Sequence, residues 1–204
     1  MSDRFGQLVE AVQSCRRCPT MEGRRRVLGA SNGRLDARVL FVAEAPGRLG
    51  GDRTGVPLTS DRTGRNFGRL LEAAGLGRDE VFVTNAVLCN PRSGRGLNRP
   101  PSRAELASCR EHLRRTLELV PSPLVVSLGA VALQQLEALA PHGLTLRSDV
   151  GRLARWGERW LVPLYHPGPR AQLHRSFARQ QNDFRALSTI LLEVCQYGAS
   201  PTSS

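Results

Sequence analysis

Lysine is missing from this sequence, so all 29 basic side chains are arginines. Without a lysine amine the chain cannot form a Schiff base with a carbonyl substrate, except through its N-terminus. Chemistry that proceeds through an imine on a side chain is therefore excluded.

Long apolar runs are missing as well. No stretch reaches the roughly 18 consecutive apolar residues that a membrane-spanning helix needs. The first 15 residues have the pattern of an amphipathic helix and lack the apolar segment of a secretory signal. We therefore expect a soluble, monomeric protein of the bacterial cytoplasm and nucleoid, with no membrane partner.

Acidic residues are too few to balance the arginines, and the formal net charge is +11. A polyanionic partner explains this excess, because neutralised phosphates release condensed counterions. The alternative is a generally basic proteome with nothing to bind. The length of 204 residues predicts one domain over residues 1–197, followed by a disordered tail at 198–204.

Short apolar runs alternate with helical patterns along the chain. The predicted strands are 39–42, 81–87, 125–129 and 161–165, and the predicted helices include 4–14, 103–119, 130–139 and 176–197. A further β-excursion is expected within 144–160. This alternation predicts an α/β fold, a three-layer sandwich with a mostly parallel central sheet and helices on both faces.

Three polar residues, Glu44, Asn85 and His166, lie at or just after predicted strand ends. The carboxyl ends of parallel strands meet at one edge of a sheet, which is where α/β proteins bind ligands. These side chains are therefore expected to share a pocket, with the backbone amides of 45–47 free for a ligand. Asp61 is predicted to cap the next helix rather than to act in catalysis.

Four of the five cysteines form two groups, Cys15 with Cys18 and Cys89 with Cys109. In a reducing compartment such cysteines indicate metal or redox chemistry before disulfides. No thioredoxin-like strand precedes the C-x2-C pair, which argues against redox chemistry. Four thiolates suit an iron–sulfur cluster or a zinc ion, and their spacing does not choose between them. Cys195 is predicted to be a buried free thiol.

Three ordered motifs, AEAPG, TNAVLCNP and HPGP, together with these four cysteines resemble the iron–sulfur uracil-DNA glycosylases of families 4 and 5. The resemblance runs from Cys15 to the final helix. It implies a monofunctional enzyme of base excision repair, which flips uracil out of DNA and hydrolyses its N-glycosidic bond. The partner is DNA containing a deaminated base. The same resemblance implies a structural four-iron, four-sulfur cluster on Cys15, Cys18, Cys89 and Cys109.

The resemblance also assigns roles in the pocket. Glu44 positions and activates the attacking water. His166 stabilises negative charge on the departing base by a hydrogen bond to O2. Uracil binding falls to Ala45, Pro46, Gly47, Leu58 and Asn85, with the Asn85 amide reading the base edge.

Past the last strand, HPGPRAQLHRS resembles the loop that enters the DNA minor groove. Arg170 and Leu173 are its candidate wedge residues, and the alternative is an ordinary loop that leads into a helix. The remaining histidines, His112, His142 and His174, match no motif and are predicted at the surface.

The sequence departs from the family at Leu58, where an aromatic residue normally stacks on the base. Loss of that stacking is expected to weaken uracil binding by about 1–3 kcal/mol and to widen the pocket. Glu44 follows family 4, whereas the GGDRTG loop and Asp61 look more like family 5. A KRRIH-type segment is missing, so covalent trapping of DNA is not expected. Two alternatives follow: a glycosylase for hypoxanthine or xanthine, or a non-catalytic protein that binds damaged DNA.

Overall fold

The computed structural model describes residues 3–198 and contains one five-stranded sheet in the order β2-β1-β3-β5-β4. Strands β1, β2, β3 and β5 pair in parallel, and β4 is antiparallel to β5. Buried on both faces, the parallel strands read as continuous apolar runs. The strands are β1 Val39–Ala43, β2 Val81–Asn85, β3 Leu124–Leu128, β4 Ala154–Trp156 and β5 Arg159–Leu164.

Helices cover both faces of this sheet, which confirms the predicted three-layer α/β architecture. The seven α-helices of the described residues are α1 Asp3–Gln13, α2 Gly51–Thr54, α3 Arg62–Ala73, α4 Arg103–Leu119, α5 Ala130–Glu137, α6 Leu146–Asp149 and α7 Phe177–Gly198. Short 3-10 turns occupy Pro19–Met21, Ala30–Asn32 and Ala171–Leu173.

Alternation along β1 divides the interior into two cores. Leu40 and Val42 pack with α1, α4 and α5 on one face, whereas Phe41 packs with α3 and α7 on the other. The Phe41 ring lies 5.3 Å from that of Phe67 and 6.0 Å from that of Phe184. This aromatic group fixes α3 and α7 against the strand whose end forms the site.

Two predicted helix starts are confirmed. Asp61 precedes α3, and its carboxylate accepts a hydrogen bond from the Gly64 N–H at 2.9 Å. Ser102 and Glu105 form a capping box at the start of α4. Glu105 also accepts hydrogen bonds from Arg99 and Thr20, so this helix start holds the loop before it and the N-terminal region.

Most element bounds agree with the sequence prediction to within two residues. The expected β-excursion is the β4–β5 hairpin, and α7 extends to Gly198. The tail predicted at 198–204 otherwise lies outside the described residues, as does the side chain of Cys195. No helix in residues 3–198 is long and apolar enough to cross a membrane.

The surface prediction was wrong for two histidines. His112 is only 3% exposed and belongs to the buried residues of α4. The side chain of His142 is 1% exposed, and its Nε2 lies 3.1 Å from the Leu133 carbonyl oxygen. His174 is exposed, as predicted.

Candidate active site

A cavity of about 660 Å³ opens at the carboxyl edge of the sheet. Glu44, Asn85 and His166 all line it, although they follow three different strands. Of the other residues predicted for the site, Ala45, Pro46, Gly47, Leu58 and Arg170 line it as well. The β1, β2 and β5 ends thus form one pocket, as the parallel topology predicts.

Asn85 is the last residue of β2 and is 1% exposed. Its side-chain nitrogen Nδ2 is buried and has no hydrogen-bond partner anywhere in residues 3–198. A buried amide without a partner costs about 1–3 kcal/mol. A ligand carbonyl placed in the cavity would remove that cost.

His166 follows β5 and is present as a neutral imidazole. Burial lowers the pKa of His166 to about 4, and the nearby Asp61 carboxylate only partly opposes this. The Gly168 N–H donates a hydrogen bond to His166 Nδ1 at 3.0 Å, so Nδ1 is an acceptor. In the neutral ring the proton must then be on Nε2. The pocket therefore contains an uncharged N–H donor.

Glu44 follows β1 and is half-buried in the same cavity. Burial raises the pKa of its carboxyl group, and the positive charge of Arg170 acts in the opposite direction. Its backbone carbonyl accepts the Val87 N–H at 3.1 Å, which fixes the chain at this point. A carboxylate with a raised pKa is a stronger base than an exposed one.

Asn90 is a site residue that the sequence analysis missed. It is 1% exposed, and its amide donates hydrogen bonds to the Pro46 carbonyl at 2.6 Å and to Asn98 Oδ1 at 3.0 Å. Its own oxygen accepts from Arg92 Nε at 2.7 Å. The sequence signal for this residue was the position of Asn90, directly after Cys89 and before a proline.

The bond from Asn90 orients the Pro46–Gly47 peptide. This peptide is trans, like every peptide bond in the described residues, so its C=O and N–H point in opposite directions. With the carbonyl held by Asn90, the Gly47 N–H points the other way. No acceptor for it exists within residues 3–198. It is available to a ligand or a water molecule in the cavity.

The loop before α3 carries backbone strain at the pocket wall. Leu58 has φ +50° and Ser60 has φ +66°, in the left-handed region. Such conformations cost about 1–3 kcal/mol each and cluster at functional sites. Asp61 lies against the opposite loop, because a Cβ added to Gly47 or Gly50 would come within 2.9 Å of its Oδ2. These glycines allow the two walls to approach closely.

The loop after β5 carries the two candidate wedge residues in different settings. Arg170 lines the cavity, whereas Leu173 is 85% exposed on the 3-10 turn. Tyr165 and His174, which the sequence analysis did not assign to the pocket, also line it. The loop therefore has an apolar side chain outside the pocket and a basic one at its wall.

The four cysteines of the two groups lie within electrostatic reach of one another. Burial raises the pKa of Cys89 to about 11 and that of Cys109 to about 12, and the Cys15 and Cys18 thiols add to both shifts. The Leu88 N–H donates to Cys109 Sγ at 3.4 Å. However, no group of three or more His, Cys, Asp or Glu side chains in residues 3–198 is arranged to hold a metal ion. The cluster stays a prediction.

Two of the three consecutive arginines at 24–26 form hydrogen bonds that hold neighbouring segments together. The Arg25 N–H donates to Asp52 Oδ1 at 3.0 Å, and Arg26 donates two hydrogen bonds to the Cys15 carbonyl. These contacts link the N-terminal cysteine segment to the loop that carries α2.

Residues 30–189 match the family model described as the uracil DNA glycosylase superfamily. A type-4 uracil-DNA glycosylase of Thermotoga maritima is 32% identical over 159 residues, 78% of each chain. One from Archaeoglobus fulgidus is 30% identical over 196 residues, 92% of this chain and 94% of that protein. A type-5 uracil-DNA glycosylase of Pyrobaculum aerophilum is 32% identical over 193 residues, 81% of this chain and 83% of that protein. The chain therefore belongs to the uracil DNA glycosylase superfamily.

Proposed function

We propose that this protein is a monofunctional uracil-DNA glycosylase of base excision repair. The observation that carries the proposal is the shared cavity of Glu44, Asn85 and His166, in a chain of this superfamily. The cavity is large enough for a flipped base, and the net charge of +11 suits a DNA substrate.

The proposed recognition step uses the Asn85 amide. A carboxamide can donate to O4 of uracil and accept from its N3–H, whereas cytosine presents the opposite pattern at these two positions. The buried Nδ2 without a partner supports this role, because uracil O4 would supply the acceptor that it lacks. Leu58 at the pocket wall gives apolar contact without aromatic stacking.

The proposed chemical step joins a water oxygen to C1′ of the deoxyribose as the bond from C1′ to N1 of uracil breaks. Glu44 orients the water and takes its proton. The electron pair of the broken bond leaves with the base, and the Nε2–H of His166 donates to O2 as charge develops there. A neutral imidazole suits this task because it donates without transferring its proton first.

The reaction stops at the abasic site. Strand cleavage through an imine needs an amine nucleophile, and the sequence has no lysine to provide one. Breakage of the DNA should therefore require added alkali.

We also propose that Cys15, Cys18, Cys89 and Cys109 hold a structural four-iron, four-sulfur cluster. Packing supports this, because Cys109 lies in one hydrophobic core and Cys18 and Cys89 pack against it. The Cys15 and Cys18 thiols also raise the pKa of Cys89 and Cys109. When bound, the cluster would link the segment after α1, the loop after β2 and α4. Arg170 and Leu173 are proposed to enter the minor groove, with the enzyme working as a monomer in the cytoplasm.

Single-turnover cleavage of matched duplexes containing one uracil, hypoxanthine or xanthine tests the function. Uracil should be excised, with strand breaks only after alkali. Activity confined to hypoxanthine or xanthine would mean that Leu58 has changed the base preference. Tight binding without excision of any of these bases would make the protein a damage-binding protein.

A further inference from the structure

Residues 92–98 form a small β-hairpin at the rim of the pocket, here called the rim hairpin. Arg92 and Asn98 pair as an antiparallel bridge, and the Ser93 N–H donates to the Leu97 carbonyl at 2.8 Å. The Gly96 N–H closes the turn on the Ser93 carbonyl at 2.9 Å, with φ +73° at Gly96. The sequence analysis gave this arginine- and glycine-rich segment no function.

The base of the rim hairpin is held by the pocket itself. Arg92 pairs with Asp52, whose side chain is 7% exposed. Asn98 Oδ1 accepts from the Asn90 amide at 3.0 Å and from the Arg48 N–H at 3.1 Å. Hydrogen bonds and a buried ion pair therefore fix where the tip projects, which limits the entropy lost when the tip binds a partner.

The tip, in contrast, projects exposed side chains. Arg95 is exposed and has no hydrogen-bond or ion-pair partner in residues 3–198. Leu97 is 56% exposed, and Leu49, which follows Arg48 at the hairpin base, is 50% exposed. A free cation beside exposed leucines on a fixed projection suits a surface that is both anionic and apolar.

The rim hairpin lies across the pocket from the β5 loop. It belongs to the connection after β2, and β1 and β3 separate β2 from β5 in the sheet. Asn98 at the hairpin base and Arg170 of the β5 loop both line the pocket. Because both elements border the pocket, a duplex with one nucleotide in the pocket can contact both of them.

We propose that the rim hairpin is a second DNA-binding element, with Arg95 on a backbone phosphate and Leu97 against the sugar or base next to the flipped nucleotide. This inference rests on the proposed function, because that function supplies the DNA duplex. It differs from the β5 wedge in position and in the strand segment that it contacts.

Binding of Arg95→Ala and Leu97→Ala to a duplex with 2′-fluorinated deoxyuridine, which resists hydrolysis, tests the proposal. Arg95→Ala should reduce the slope of log K against log salt concentration by about 0.9, the value for one lost phosphate contact. Leu97→Ala should weaken duplex binding by at least about 5-fold, because the apolar contact of a leucine side chain with the DNA is lost, with the salt slope unchanged. Binding to a single strand should change less, since the neighbouring stack is then missing.

Two matched controls are present in the chain. Arg34→Ala removes an exposed arginine before β1, at the opposite edge of the sheet. Leu192→Ala removes a 63%-exposed leucine on α7. Both should leave affinity and salt slope unchanged, and all four variants should keep the wild-type Tm because each change is at the surface.

The proposal is overturned if Arg95→Ala and Leu97→Ala bind like their controls, or if the wild-type protein does not bind DNA. It is also overturned if Leu97→Ala changes only self-association in sedimentation, because the leucines would then serve a second copy of the chain. Failure of the proposed function is distinguishable, since binding is measured without turnover. A protein that binds through the hairpin but excises no uracil would keep this inference and lose the activity.

Discussion

Cys89 and Asn90 are neighbours in the chain, yet the first belongs to the cysteine region and the second to the pocket. The two regions differ in how far hydrogen bonds within the protein hold their side chains in place. Around the pocket, hydrogen bonds fix the Pro46 carbonyl, His166 Nδ1 and the Asp61 carboxylate. Around the cysteines, four thiols share a region, but no described group of ligands is arranged for a metal. Hydrogen bonds within the protein can preorganise a catalytic pocket, whereas buried thiols lose their protons and become ligands only when a metal binds.

The largest expected effect is in the preorganised pocket. His166→Ala should slow single-turnover uracil excision by about 100-fold or more, the usual cost of losing one donor to a developing negative charge. DNA affinity, measured by anisotropy on the resistant duplex, should change little because His166 contacts only the base in the pocket and not the DNA backbone. An unchanged rate would remove His166 from the chemistry.

A smaller effect is expected when the orientation of the Pro46–Gly47 peptide is released. Asn90→Asp keeps an acceptor for Arg92 but loses both donated hydrogen bonds, including the one to Pro46. The rate at saturating DNA should fall by about 10-fold, since misplaced catalytic groups cost up to about 100-fold.

A purely structural role for Asn90 would instead lower Tm and leave the single-turnover rate of the folded protein unchanged. Asn98→Asp is the matched control, because Asn98 uses only its side-chain oxygen in this network. It should keep most of the rate.

Cys89→Ser tests the cysteine region. If the four cysteines hold a cluster, this variant should lose the brown colour, the iron and the sulfide of the wild-type protein. The Tm of Cys89→Ser should fall by several degrees. In a chain of this size, a loss of 1 kcal/mol in the free energy of unfolding lowers Tm by about 2–4 °C. If the protein positions the pocket residues without help from a cluster, the rate of uracil excision by Cys89→Ser, measured below its Tm, should fall less than about 10-fold. Pure wild-type protein with zinc and no iron would contradict the cluster.

The smallest expected effect is a shift in the pH profile. Glu44 must be ionised to take a proton, so the single-turnover rate should rise with pH through its raised pKa and then level. Arg170 lowers that pKa, so Arg170→Ala should move the rising limb to higher pH, by about one unit or less. Neutral His166, with a pKa of about 4, should produce no falling limb near neutral pH. Arg179→Ala, which removes an exposed arginine, is the control and should leave the rising limb where it is. An unmoved limb in Arg170→Ala would exclude Glu44 as the titrating base.

Much of the fold was predictable because its signals are local. Apolar runs fixed the strands, and the capping patterns at Asp61 and Ser102 located the starts of α3 and α4 to the residue. The convergence of Glu44, Asn85 and His166 followed from the parallel topology, and the structure places all three in one cavity. Burial of His112 and His142 was not predictable, because it depends on packing between helices rather than on their own sequence pattern.

The sequence by itself determined the strand and helix pattern, the family, the basic charge and the absence of a lysine nucleophile. Only the tertiary structure decided which polar groups are already satisfied: Asn90 is held by Pro46 and Arg92, whereas the Asn85 amide has no partner in the described residues. The same holds for the tautomer of His166 and the direction of the rim hairpin. These features arise from contacts between segments far apart in the chain, and the energy of such contacts depends on burial and geometry that no local pattern contains.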